Sequence, residues 1–186
     1  MIWFTSDLHF GHRAVIKYAG RPFRDVEEMD SALIERWNDR VQRGDTVYLV
    51  GDVSFHKPAR TEAILYGLVG NIVLVRGNHD KSLKGSLLKR FASEHDMLTV
   101  KVPDPDAEGG VQRIVLCHYA LRTWDRMHHG AWHLYGHSHG TLDPNWGRSM
   151  DVGVDEHGYA PISYEEVKAE MMRKAFKAVD HHGADE

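Results

Sequence analysis

The chain has 186 residues, 42% hydrophobic and 27% charged, a profile that fits one globular domain and excludes disordered, collagen-like and membrane classes. Its 23 Lys and Arg against 27 Asp and Glu give a net charge of -4, which argues against a protein that coats nucleic acid.

Residues 1–5 form an apolar run of strand length, and Asp7 and His9 follow it as Asp-x-His. A helix is expected after Asp25: Met29, Leu33, Trp37 and Val41 recur at a spacing of four, and Glu28 can complete a capping box. Strand 46–50 runs into Gly51 and Asp52, and helix 58–68 carries Pro58 in its first turn. Strand 72–75 leads to Gly77, Asn78, His79 and Asp80, with a helix expected over 82–91. Strands 97–102 and 114–117 flank turn chemistry at 103–110, and His118 follows the second of them. Strand 132–135 ends at Gly136, His137, Ser138 and His139. The close strand spacing of this second half suggests hairpins. A last helix starts at Ser163, with Glu166 as capping-box partner, and is expected to continue to about 179. The tail 181–186 is expected to fray. Strand alternating with helix predicts an α/β layered fold, a single domain over residues 1–180 with no dividing linker.

The single Cys117 allows no intrachain disulfide, the first residues do not read as a signal peptide, and the apolar stretch 63–70 is too short to cross a bilayer. A cytoplasmic protein without membrane partners is expected. Fourteen histidines are more than packing requires, and imidazole is the commonest metal ligand. Five apolar runs end in carboxylate, amide or imidazole groups. In an open α/β sheet such strand ends converge on one crevice, although these span 130 residues of chain. Asp7 with His9, and His137 with His139, read as two pincers, since residues two apart in an extended segment share a side. A mixed carboxylate, imidazole and amide set suits Mn, Fe, Zn or Co. His12, His56, His95, His128, His129 and His157 read as solvated or hydrogen-bonded, and Cys117 as a small buried residue.

Together, Asp7 and His9, Gly51 and Asp52, the run Gly77 to Asp80, His118, and Gly136 with His137 and His139 resemble the calcineurin-like metallophosphoesterase superfamily, in its compact bacterial and phage form. The resemblance implies a four-layer sandwich, two mixed β-sheets flanked by helices. It implies a two-metal centre in which Asp7, His9, Asp52 and His139 hold one ion and Asp52, Asn78, His118 and His137 the other. His79 would approach the phosphate or the leaving oxygen, with Asp80 orienting its ring. Manganese leads as the metal, with iron, zinc, nickel or magnesium as alternatives. The segment Gly51, Asp52, Val53, Ser54 departs from the GDxxDRG of the protein-phosphatase branch, which counts against that role.

Two divalent ions, two carboxylates and a hydroxide between the ions leave a net charge suited to a phosphodiester monoanion, though a monoester is only slightly less well matched. No covalent nucleophile is evident, so direct in-line hydrolysis is expected. Arg13, Arg21, Arg24 and Arg122 are the substrate-binding candidates, with Trp124 and Arg148 nearby. The expected function is hydrolysis of phosphodiester, or also phosphomonoester, bonds in nucleotides or other small molecules. The alternatives are a nuclease of the same superfamily and a non-catalytic protein-binding scaffold. Nucleic acid is a less favoured partner, and no heptad or interface stripe specifies an oligomer.

Overall fold

Trp3 and Phe4 are neighbours in sequence yet belong to different cores. They lie on β1 (Ile2–Thr5), and successive side chains of a strand point to opposite faces. A computed structural model describes residues 1–175. In it β1 pairs in parallel with β2 (Thr46–Leu49), β2 with β3 (Asn71–Val75) and β3 with β4 (Phe91–His95), while the short β9 (Ile162–Ser163) runs antiparallel to β1. The second sheet has the order β5 (Met97–Pro103), β6 (Val111–Cys117), β7 (Trp132–Tyr135), β8 (Ser149–Asp151).

The first core packs Val47, Leu49, Ile72 and Leu74 against α2 (Val26–Arg40) and α3 (Pro58–Gly67). The predicted stripe of α2 holds: Met29, Leu33 and Trp37 are buried, and Trp37 Nε1 donates to the Val69 carbonyl at 2.8 Å. Burying each such side chain is worth roughly 1.5–3 kcal/mol. The second core lies between the sheets. It joins Phe4, Val50 and Val75 to Ile114, Leu116, Trp132 and Leu134, and is closed by Tyr164, Val167 and Met171 of α4 (Tyr164–Arg173). A short α1 (Arg13–Tyr18) adds Val15 to the first core, and Trp124, Met127 and Ala131 cover Val115 on the far side of the second sheet. Two mixed sheets flanked by helices therefore form the expected layers. No helix among the described residues is long and apolar enough to cross a membrane.

Four local expectations change. Residues 82–91 form no α-helix; two 3-10 turns, Asp80–Ser82 and Gly85–Arg90, lead into β4. Gly85 breaks the segment at φ 62°, and Arg90 turns its guanidinium onto the carbonyls of Leu65, Leu68 and Gly70. Among the described residues only β5 and β6 form a hairpin, because the crossover 119–131 lets β7 run parallel to β6. At α2, Asp25 accepts from the Glu28 amide, but Glu28 returns to the Arg24 amide and the capping box is displaced by one residue. The box of Ser163 and Glu166 closes both ways. Helix α4 stops at Arg173, where Lys174 turns to the carbonyls of Pro144 and Ser149. The expected tail 181–186 lies outside the described residues.

The turn after β5 is tied to α4 by a carboxylate. Asp104 accepts from Lys168 Nζ at 2.7 Å and from the Tyr164 hydroxyl, which hold it down to about 2 against the effect of its burial. A carboxyl depressed in the folded state stabilises above its unfolded pKa of about 4, and the contribution is lost as pH falls toward 2. Asp104→Asn is therefore expected to lower Tm by a few degrees at pH 7, with the gap to wild type closing between pH 4 and 2.5. A gap independent of pH in thermal melts would contradict this assignment.

Candidate metal centre

The five strand-end segments converge where the two sheets meet. Asp7 and His9 follow β1, Asp52 follows β2, Asn78 to Asp80 follow β3, His118 follows β6, and His137 and His139 follow β7. The seam is stitched by Ser6 N–H donating to the Val152 carbonyl at 3.1 Å and Val154 N–H donating to the Ser6 carbonyl at 3.1 Å. Asp7, His9, Asp52, His137 and His139 all have left-handed backbones, with φ of 55°, 52°, 56°, 68° and 46°. Only two other non-glycine residues among those described share that region, Arg126 and Tyr159. Each such residue costs on the order of 1 kcal/mol, so strain is concentrated where these side chains gather.

The donors form two groups. Asp7, His9 and His139 offer atoms within 4.8 Å of one another, and so do Asp52, His118 and His137. Asp52 faces both: Oδ2 lies 3.5 Å from His9 Nε2 and Oδ1 lies 3.5 Å from His118 Nε2. Asn78 Oδ1 is 3.0 Å from His118 Nε2. His137 and His139 therefore belong to different groups, which corrects the pincer reading. The left-handed turns abolish the two-residue alternation of an extended chain. Asp7 and His9 do share a group, by the same turns.

Buried within the first group, Asp7 Oδ1 and His9 Nε2 have no hydrogen-bond partner. Polar atoms orphaned in this way are costly, and a cation between them would satisfy both. Burial disfavours charge on Asp52 and on His118, yet their mutual pairing wins, taking Asp52 down to about 2 and His118 up to about 9. The pocket thus favours positive charge beside its carboxylate. His118 Nδ1 donates to the Val50 carbonyl at 2.8 Å and His139 Nδ1 meets Asp155 Oδ2 at 2.6 Å, leaving each Nε2 toward the donors. The residues fit divalent ions of the Mn, Fe and Zn type. Two glycines make room: a Cβ on Gly77 would lie 2.3 Å from Asp52 Oδ1, and one on Gly51 2.5 Å from His118 Nδ1.

Other expected site residues take different roles. Asp80 does not orient the His79 ring; it is buried and accepts the backbone N–H groups of Asp52, Val53 and Gly77 at 2.8 to 2.9 Å. It is a positioning residue that ties the Asp52 loop to the Asn78 loop. His79 is 45% exposed, and its Nε2 lies 4.0 Å from Asp52 Oδ2. Arg21 is not available to a substrate. Its buried guanidinium is bidentate to Asp155 at 2.8 and 2.9 Å and donates to the carbonyls of Asp7 and Leu8 at 2.6 and 3.0 Å. Arg24 pairs at the exposed start of α2 with Asp25. Arg13 is exposed on α1, and the exposed Arg122 lies over the Trp146 ring at 4.8 Å. Trp124 is a core residue.

Three contributors carry no sequence signal of their own. Asp155 stands 134 residues from Arg21, in no motif. Asp30, inside the apolar stripe of α2, accepts from Gly11 N–H at 3.0 Å and meets His56 Nε2 at 2.6 Å, bracing the loop after His9. His12 shares a 3.1 Å contact with His9 through their Nδ1 atoms; burial, then the neighbouring His9, push it down to about 4.

The chain matches the model of the calcineurin-like phosphoesterase family over residues 1–169, and it belongs to that family. It is 32% identical over 173 residues to the uncharacterized protein MJ1445 of Methanocaldococcus jannaschii, covering 88% of this chain and 87% of that one. It is 27% identical to the gene 66 protein of Mycobacterium phage L5, covering 84% of this chain and 87% of the phage protein. A solved Aquifex aeolicus protein of unknown function, AQ665, shares the fold with a TM-score of 0.66 at 22% identity, covering 91% of this chain and 98% of that one.

If Asp155 sets the His139 ring, Asp155→Asn should weaken binding of Mn by about 10- to 100-fold, whereas Arg24→Ala should leave it in place. Calorimetric titration of metal-stripped protein measures both. Equal affinity in Asp155→Asn and wild type would remove Asp155 from the centre.

Proposed function

We propose that the protein hydrolyses phosphodiester bonds of nucleotides or other small molecules in the cytoplasm, with two divalent ions, manganese foremost, as cofactors. The observation that carries this reading is Asp52, one buried carboxylate with an oxygen toward each of two donor groups. Asp7, His9, Asp52 and His139 suit one ion, and Asp52, Asn78, His118 and His137 the other. Such a pair supplies Lewis-acid polarisation of phosphoryl oxygens and acidifies water.

The chain's own residues do the rest. Asp7 and Asp52 bring two negative charges, fewer than two divalent ions bring positive, and the surplus attracts a phosphodiester monoanion. His79 stands on the open side of Asp52, where its ring can give a proton to the departing alcohol oxygen. Its backbone N–H donates to Asp52 Oδ1 at 3.0 Å, so ring and carboxylate keep a fixed relation. Asp80 holds the Asp52 amide and thereby the left-handed turn that aims the carboxylate. Arg13 and Arg122 are the exposed guanidinium groups left to meet substrate. A protein-binding scaffold would have no use for the orphaned atoms of Asp7 and His9. A nuclease would share the chemistry but gains nothing from a net charge of -4.

Metal-stripped protein reloaded singly with Mn, Zn, Fe, Ni or Mg is expected to cleave bis-p-nitrophenyl phosphate faster than p-nitrophenyl phosphate. Asp52→Asn should lose both activity and metal. His79→Ala should lower kcat by about 10²- to 10⁴-fold while metal content, read by elemental analysis, stays at the wild-type level. Metal loss in His79→Ala equal to that in Asp52→Asn would refute its role as a non-ligand, and two bound ions without turnover of either ester would refute the activity.

A further inference from the structure

Five large aromatic side chains are exposed among the described residues, and three of them pack on histidines of the metal centre. Phe55, 41% exposed, lies face to face on His12 with centroids 3.8 Å apart and reaches the His79 ring at 4.8 Å. Tyr18 stands edge-on to His12 and His139 at 5.8 and 5.6 Å. At the other donor group, Tyr119 meets His137 at 4.9 Å and His118 at 5.3 Å. Beside Tyr119 lies a cavity of about 320 Å³, also lined by Asn78 and Lys81, within the usual size of a small-ligand site.

None of these three rings belongs to a hydrophobic core. A half-exposed ring forgoes much of the gain that burial would bring, so packing alone gives no reason to place three of them here. Half-exposed rings beside a phosphoester centre are surfaces on which a flat group can stack. The banks differ in what they adjoin: Phe55 borders His79, the proton donor to the leaving oxygen, and Tyr119 borders the group of Asp52, His118 and His137.

We propose that Phe55 and Tyr119 form a two-sided stacking rim that selects phosphodiesters whose ester arms carry nucleobases, with Phe55 taking the arm on the leaving side. This inference rests on the phosphodiesterase reading above and adds its substrate class. The acidic chain favours a short, lightly charged nucleotide over a polymer. If the rings only shelter the histidines from water, their removal will affect every diester alike.

The test compares full-length, Mn-loaded wild type, Phe55→Ala, Tyr119→Ala and Phe55→Trp on dithymidine monophosphate and on the aliphatic diester glycerophosphocholine. Binding of thymidine 5′-monophosphate is measured in parallel by calorimetry. Phe55→Ala is expected to lower the ratio of kcat/KM for the nucleotide over the aliphatic diester about tenfold, Tyr119→Ala to lower it less, and Phe55→Trp to restore it. Affinity for thymidine 5′-monophosphate should fall about tenfold in Phe55→Ala and stay unchanged in Tyr66→Ala, an exposed ring on α3. Ratios and affinities within about twofold of wild type in both alanine variants would overturn the rim while leaving the phosphodiesterase reading intact. Binding that depends on Phe55, without cleavage of either diester, would overturn that reading and keep the rim. Neither binding nor cleavage by wild type would overturn both.

Discussion

The centre depends on Asp52 being buried, shared and correctly aimed. Its two oxygens stand 3.5 Å from histidines of two different donor groups. That reach requires a left-handed backbone at Asp52 and bare Cα atoms at Gly51 and Gly77. A second carboxylate, Asp80, holds the arrangement by taking the amides of Asp52, Val53 and Gly77. Asp52 in turn takes the amide of His79. The two loops are therefore interlocked through their side chains, and neither can shift without exposing an unpaired buried group.

Strain at five left-handed residues, on the order of 1 kcal/mol each, has to be offset by the surrounding fold. The offset comes from the hydrogen bonds of the seam and from the two cores beneath it. The support is uneven. The first group rests on a buried guanidinium, Arg21, which holds the Asp7 carbonyl directly and His139 through Asp155. In the second group His118 is anchored to the Val50 carbonyl, while His137 is exposed and flanked by the rings of His118 and Tyr119. The first group is framed from behind by Arg21 and Asp155, and the second opens to solvent at His137 while Asp52 and His118 stay buried.

The donors are legible in the sequence because each follows a short β-branched run, and a parallel sheet delivers every such strand end to one side. The positions of β1, β2, β3, β5, β6 and β7 and the stripe of α2 follow from periodicity, whereas the polar β4 and the very short β8 and β9 give no such signal. The grouping of the donors does not follow from periodicity and comes only with the family resemblance. It depends on positive φ at non-glycine residues such as His137 and His139, and composition gives no sign of that. Arg21 misleads for a related reason. An arginine near a motif suggests a phosphate fork, and only the position of Asp155, 134 residues away, shows that its fork is already filled. Asp80 carries the same lesson, since a carboxylate next to a histidine invites a dyad while three amides claim it. The segment 82–91 has helical spacing, but Gly85 and the outward turn of Arg90 leave it as 3-10 turns.

These observations divide the site between a fixed interior and an adaptable edge. Interior donors are committed by several contacts each: substituting Gly77, Asp80 or Arg21 would disturb more than one of them. Edge residues such as Phe55 and Tyr119 touch the histidines but belong to neither core. Their exchange would leave the packing beneath them largely intact. Where the interior tolerates so little change, selectivity has to reside where substitution costs little in stability. The exposed rings meet that condition, and so does Arg122, stacked on Trp146. The same chain can thus keep an exacting metal centre and an edge free to follow its substrate.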